Sequence, residues 1–257
     1  MPHTKLIEFS NTRNKSLRGL LLRQNSDKLV LMCGGFERRT TTELKFKKLA
    51  DLLETNNISS FRFDYSGCGL SDGDFSKTAV KTMADELLLA IKAIKKEVNF
   101  EILIVAAHSL SACVVANLAK KKLFEKIILL APALNQKNLL RYWFTKSNAK
   151  EEINWKNYKQ YFNEFQFEAD CKKEKRMTKS NFIGSGYFLE NKEKDYSDLL
   201  INTQNILHIH GEKDNDVPLE SVNIDFPNQL IIEDGNHDLE KPDIFEIWSQ
   251  KVINFIQ

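Results

Sequence analysis

The chain predicts an α/β protein with a mostly parallel, twisted sheet flanked by helices on both faces and one inserted segment. Three observations predict it. Short β-rich runs alternate with segments of helical period, one connection is far too long for a simple crossover, and 257 residues suit a single domain of this class. A chain of that length buries about 70 to 75% of its unfolded surface, enough for one sizeable core.

In chain order, two runs at 5–9 and 17–23 read as a leading hairpin. Core strands are expected at 28–33, 58–64, 101–106, 126–131, 205–210 and 229–233. Helical period is clearest at 44–53, 83–94 and 245–256, where apolar residues return every three or four positions. Residues 1–134 and 200–257 are expected to form the core, and 135–199 a lid, because a connection this long carries structure of its own. The 141–195 stretch holds 12 of the 26 aromatic residues and a charge of +3. Within it Trp155, Tyr158, Tyr161, Phe162 and Phe165 recur at helical spacing, which predicts one helix face turned towards what lies beneath. That stripe either docks the lid or walls an apolar substrate pocket. The 172–176 run reads as solvated surface, and His3 as tail.

Composition excludes several classes of function. With 37 basic against 35 acidic residues the net charge is +2, so no single-sign field captures a polyanion, and nucleic acid is not an expected partner. The opening residues hold no apolar run of signal-peptide length, and the longest apolar stretches elsewhere stop near eight residues, so no membrane span is expected. Cys33, Cys68, Cys113 and Cys171 are widely spaced, which excludes a CxxC pair and fits a reducing cytoplasm. Cys33 and Cys113 sit in apolar runs, whereas Cys68, between two glycines, reads as an accessible thiol.

The chemistry concentrates at ILIVAAHSLSACVVANLAKKK, where an apolar strand enters Ala107-His108-Ser109-Leu110-Ser111 and leaves as a helix beginning near Leu110. A serine on such a corner exposes its hydroxyl above the positive end of the following helix. Close approach of strand and helix demands small residues two before and two after, here Ala107 and Ser111. A serine hydroxyl barely ionises at neutral pH, so attack needs an imidazole to take its proton and a carboxylate to orient that imidazole. Downstream, ILHIHGEKDNDVP offers Asp214 and LIIEDGNHDLEKP offers His237, each just beyond the carboxyl end of a predicted strand, where open α/β sheets place their sites. Asp216 is the alternative acid, but the D-x-x-V-P spacing selects Asp214. Backbone donors for an oxyanion are expected at Leu110, next to the serine, and at Phe36, where Gly34 and Gly35 let the loop approach. Gly35, His108, Trp155 and Tyr187 are expected to touch substrate. Asp64 and Ser71 are expected to brace the loop after the second core strand.

These segments, with FRFDYSGCGLSDG at 61–73, resemble the α/β-hydrolase superfamily over nearly the whole chain. They are similar to the lidded cinnamoyl and feruloyl esterases and to the serine aminopeptidase-like hydrolases, whose pieces read HGF, RFDxxGxGxSDG, GxSxG, HGxxDxxVP and GxxH. The resemblance implies Ser109 as nucleophile, Asp214 as acid, His237 as base, and Phe36 and Leu110 as oxyanion donors. Gly34 stands where HGF has histidine, Cys68 where GHG has histidine, and the elbow lacks both glycines. Gly-Phe-Glu-Arg-Arg at 35–39 and Ala-His-Ser-Leu-Ser look like the acyl-transferase of bacterial bioluminescence, which makes a fatty-acyl thioester the rival substrate, with Arg38 or Arg39 available to a carrier phosphate.

A serine hydrolase acting on a small-molecule ester or thioester, without metal or cofactor, is therefore expected. His108, His208 and His210 with Asp214 lack the spacing of a zinc set. An aminopeptidase would require lid acids such as Glu164, Glu168 and Asp170 to hold an amino terminus, and a non-catalytic binding protein would leave the serine unreactive.

Overall fold

The computed structural model describes residues 4–257, so the reading of His3 lies outside the described residues. Strands β1 (Thr4–Ser10) and β2 (Ser16–Leu22) form the leading antiparallel hairpin, with Leu6 opposite Leu20. There follow β3 (Lys28–Cys33), α1 (Leu44–Thr55), β4 (Ser59–Phe63), α2 (Val80–Ile94), β5 (Ile102–His108), α3 (Ser111–Leu118) and β6 (Lys126–Leu130). The inserted segment builds α4 (Gln136–Asn148), α5 (Tyr158–Tyr161), α6 (Glu164–Cys171), β7 (Lys175–Met177), β8 (Phe182–Gly184) and α7 (Ser185–Asn191). The chain then closes with β9 (Ile206–Gly211), β10 (Asn228–Ile232) and α8 (Pro242–Ile256).

The main sheet runs β1-β2-β4-β3-β5-β6-β9-β10, parallel from β4 to β10 and antiparallel at the hairpin edge. Strand alternation divides its core residues between two faces. Leu29, Leu31 and Val105 pack with α2 and α3, while Val30, Met32 and Ile104 pack with α1 and α8. Each such fully buried aliphatic side chain contributes about 1.5–3 kcal/mol of transfer free energy. Because β3 lies between β4 and β5, the strand order reverses there, and the carboxyl ends of β3, β5, β9 and β10 open at one edge of the sheet. Loops at such a reversal point are where α/β sheets place ligands.

Three expectations change. The aromatic stripe does not lie on one helix: α5 is only four residues long, Phe162 leaves it in extended geometry, and the Asn163 side chain accepts a hydrogen bond from Gln166 N at 3.0 Å to start α6 afresh. That cap satisfies an otherwise unpaired amide and resets the helix phase, so Tyr161 and Phe165 turn outward, Phe165 with 84% exposure. Cys68 is not an accessible thiol. It is buried, and desolvation pushes its pKa up to about 12. In the 172–176 run Lys172, Lys173 and Lys175 are exposed as expected, but Arg176 is half-buried and stacks on Phe188. Among the described residues no helix is long and apolar enough to cross a membrane.

Candidate active site

At the end of β5 the chain turns so sharply that Ser109 takes a φ of +54°, a left-handed conformation a non-glycine residue adopts only when its surroundings enforce it. Ser109 N donates to Leu130 O at 2.9 Å, and Ser109 O accepts from Ala112 N and Ala133 N, which pins both sides of the corner. Ala107 and Ser111 are fully buried where strand and helix converge. The Ser111 hydroxyl also donates to Gly34 O at 2.5 Å, tying the elbow to the loop after β3, a bond that glycine at this position would lack.

That loop sits directly against the serine. A Cβ on Gly35 would stand 2.9 Å from Ser109 Cβ, and a Cβ on Gly34 would stand 2.4 Å from Thr40 Oγ1. The second clash explains why histidine has no room at 34: Thr40 Oγ1 instead accepts a hydrogen bond from Gly34 N at 3.0 Å. Among the described residues no hydrogen bond engages the amides of Phe36 or Leu110. Asp64 braces the neighbouring loop by accepting from Thr41 N, Thr41 Oγ1 and Leu70 N, and the Ser71 hydroxyl donates to Asp64 O, as expected of both residues.

His237 enters from the loop between β10 and α8. Its Nε2 lies 3.0 Å from Ser109 Oγ and its Nδ1 2.8 Å from Asp214 Oδ2. A carboxylate can only accept, so the Nδ1 proton faces Asp214 and the Nε2 lone pair faces the serine hydroxyl. The structure thus brings Ser109, His237 and Asp214 into one hydrogen-bonded line. Asp216 stays outside it, exposed, with its main-chain N donating to Asp214 Oδ1 at 2.9 Å. Val217 N also donates to that oxygen. Burial pushes the Asp214 carboxyl up, but bonds from His210 and His237 outweigh burial and hold its pKa at about 2. It is an anion whenever the protein is folded near neutrality.

Three further histidines surround this line. His210 Nε2 lies 2.8 Å from Val217 O and 3.3 Å from Asp214 Oδ2, and its Nδ1 lies 3.1 Å from His208 Nε2. Burial depresses the His208 pKa to about 3. His108, also buried and held well below its ordinary pKa by desolvation, is neutral and donates Nε2–H to His237 O at 2.9 Å.

A cavity of about 590 Å³ opens over Ser109 and His237. Its apolar walls include Phe36, Leu110, Trp143, Phe144, Phe167 and Tyr187. Of the four residues expected at substrate, only Tyr187 is among them. Gly35 lies behind Ser109, and His108 is sealed beneath the loop that carries His237. Trp155 is drawn away into a cluster with Tyr142 and Tyr158, ring centroids 5.4 and 5.1 Å away. Trp143 and Phe144 take its place; the aromatic excess of 141–195 signalled such a wall, but only the packing of α4 shows which residues form it. Glu37 carried no signal in the sequence, whereas Arg38, expected to be available to a carrier phosphate, does line the cavity. Glu37 accepts from Thr178 Oγ1 and Ser180 N in the β7–β8 turn, and Arg38 pairs with Asp238 beside His237.

The carboxylates of Glu164, Glu168 and Glu193 approach within 4.8 Å on the outside of the inserted segment. Arg141 pairs with Glu164 and Glu193, and Lys192 with Glu168, so this group forms an ion-pair network.

Residues 24–181 match the family model described as serine aminopeptidase, S33. The chain belongs to this family. The fold agrees. A structure of Est1E from Butyrivibrio proteoclasticus with ferulic acid bound is 17% identical, with 98% of this chain and 97% of that chain covered and a TM-score of 0.74. The mouse alpha/beta hydrolase domain-containing protein 10 is 15% identical, with 98% of each covered and a TM-score of 0.71. The Pyrococcus furiosus esterase Pf2001 is 18% identical, with 99% and 90% covered and a TM-score of 0.68. A search of curated protein sequences returns no match. This S33-family chain is thus a hydrolase on the α/β-hydrolase fold, its strand order that of the sheet described above.

Proposed function

We propose that the chain is a serine hydrolase that cleaves a carboxylic ester of a small or medium acyl substrate through an acyl-enzyme. One observation carries the reading: the hydrogen-bonded line Ser109–His237–Asp214 ends at the floor of a cavity with aromatic walls. His237 takes the Ser109 proton as Oγ attacks the carbonyl, and Asp214 stabilises the imidazolium. The amides of Phe36 and Leu110 hold the oxyanion, each such donor being worth about 2.7–4 kcal/mol. His237 then protonates the departing alcohol, and water repeats the sequence on the acyl-enzyme. Residues 135–199 act as the lid that excludes bulk water from this step.

The ester reading is favoured over an aminopeptidase because the acids needed to hold an amino terminus are already partnered: Glu164 by Arg141, Glu168 by Lys192, and Asp170 by Arg176 and Lys173. The aromatic walls equally suit the acyl chain of a thioester, so the leaving group decides between these two. Four unpaired, buried cysteines support a reducing, cytoplasmic setting. A panel of 4-nitrophenyl esters of two to fourteen carbons, a feruloyl ester, an acyl thioester and an aminoacyl anilide tests the reading, with Ser109→Ala as blank. Ester turnover and fluorophosphonate labelling that both vanish in Ser109→Ala are expected. Turnover surviving that substitution removes Ser109 from the mechanism.

A further inference from the structure

Arg176 borders the same cavity and is the one member of its basic run that folds inward. Its guanidinium lies over the Phe188 ring, with Cζ 3.3 Å from the ring centroid. Phe188 packs on Tyr187, and Tyr187 packs on Phe36 beside the nucleophile, with centroid spacings of 5.1 and 5.4 Å. Two rings therefore separate Arg176 from the reacting end of the cavity. Its Nη1 pairs with Asp170, whereas Nε and Nη2 are buried and have no hydrogen-bond partner among the described residues. Nε–H and one Nη2–H point in the same direction, forming the edge that matches the two oxygens of a carboxylate. Buried donors left unmatched are costly, and they call for an acceptor.

At the Arg176 end of the cavity the balance of charge is positive. Asp170 is a single carboxylate between Arg176 and Lys173, its Oδ1 2.8 Å from Lys173 Nζ, so this trio carries a surplus positive charge. Lys179, exposed on the cavity rim, has no ion-pair partner among the described residues. Of the other acids lining the cavity, Asp238 pairs with Arg38, Glu37 accepts from Thr178 Oγ1 and Ser180 N, and Asp216 is exposed beside Val217.

We propose that the Nε/Nη2 edge of Arg176 is a subsite for a carboxylate carried on the acyl chain, so that the preferred substrates are half-esters of dicarboxylic acids. This rests on the ester-hydrolase reading above. The test compares kcat/KM for 4-nitrophenyl half-esters of adipate, suberate and sebacate with methyl-ended esters of equal chain length. In the wild-type protein at least one half-ester is expected to be preferred by tenfold or more. In Arg176→Met that ratio falls at least tenfold, and Arg176→Lys, which keeps the charge but loses the fork, lies between. A wild-type ratio at or below one for every length overturns the proposal. So does a ratio unchanged in Arg176→Met, which would make the guanidinium only a strut for Asp170. If Arg176→Met does not fold, the wild-type ratio and Arg176→Lys decide.

Fluorophosphonate labelling and turnover of the methyl-ended esters report separately on the underlying reading. If both persist with a flat ratio, only the carboxylate subsite falls. If neither is seen, Ser109→Ala protein titrated with monomethyl suberate and with methyl octanoate, read by tryptophan fluorescence, still compares the two chain ends. Equal dissociation constants there overturn the subsite independently of catalysis.

Discussion

Ser109 is held in a left-handed turn by hydrogen bonds on both sides, and the loop carrying Gly35 closes against its Cβ. Little slack remains around the hydroxyl. Gly35→Ala would place a methyl group 2.9 Å from Ser109 Cβ and 3.3 Å from His108 Nδ1, forcing the loop with Phe36 outward. Because a misplacement of about 1 Å costs on the order of 10²-fold, kcat is expected to drop by that order while KM changes less. Wild-type kinetics in Gly35→Ala would show that the loop does not set the geometry of attack. Removing the His237 imidazole, the proposed base, is expected to cost more. His237→Ala loses at least the 10²- to 10⁴-fold that a positioned base typically supplies. Asp214→Asn is expected to fall by about 10³- to 10⁴-fold, since an amide can leave the imidazole in the wrong tautomer. Steady-state kinetics alongside circular dichroism separates these losses from unfolding.

At the scale of elements, the inserted segment is where periodicity misleads. Phe162 and Phe165 share helical spacing with Tyr158, yet Asn163 caps a new helix and turns Phe165 to solvent while Phe167 is fully buried between Phe144 and Phe162. A cap is a local hydrogen bond, and whether it wins over a continued helix depends on what the following turn can bury. Phe167→Ala is therefore expected to destabilise the protein by about 3–5 kcal/mol, whereas Phe165→Ser stays within about 0.5 kcal/mol. Urea unfolding of the two variants checks this; a reversed order would mean that the outward face of α6 is covered in solution. By contrast, the strands of the main sheet were legible almost to the residue, because fully buried parallel strands are runs of apolar residues bounded by polar turns.

For the molecule as a whole, buried neutral histidines couple folding to pH. Desolvation depresses both His108 and His208, the latter to about 3, while in the unfolded chain each titrates near the ordinary value of about 6.5. A depressed folded pKa means that the unfolded chain binds more protons, so the stabilisation is complete above about 6.5 and is lost as pH falls below it. Each group contributes a slope approaching about 1.4 kcal/mol per pH unit. Urea midpoints are thus expected to fall steadily from pH 6.5 to 5, and His208→Gln should remove about half the slope. A midpoint flat over this range would contradict neutral burial of the pair. Asp214 acts in a lower window: its folded pKa of about 2 lies below the ordinary carboxylate value, so its contribution is present above about 4 and lost as pH falls towards 2.

From the sequence alone come the α/β alternation, the serine at a strand-to-helix corner, and the acid and histidine after later strands, because each is written in local period or short spacing. Tertiary structure alone decides the rest. Trp143 and Phe144, rather than Trp155, wall the cavity because α4 packs across its mouth. Arg176 leaves a solvated run to lie on Phe188 because the β7–β8 hairpin aims it there. These outcomes depend on contacts between residues far apart along the chain, and no local period encodes such contacts.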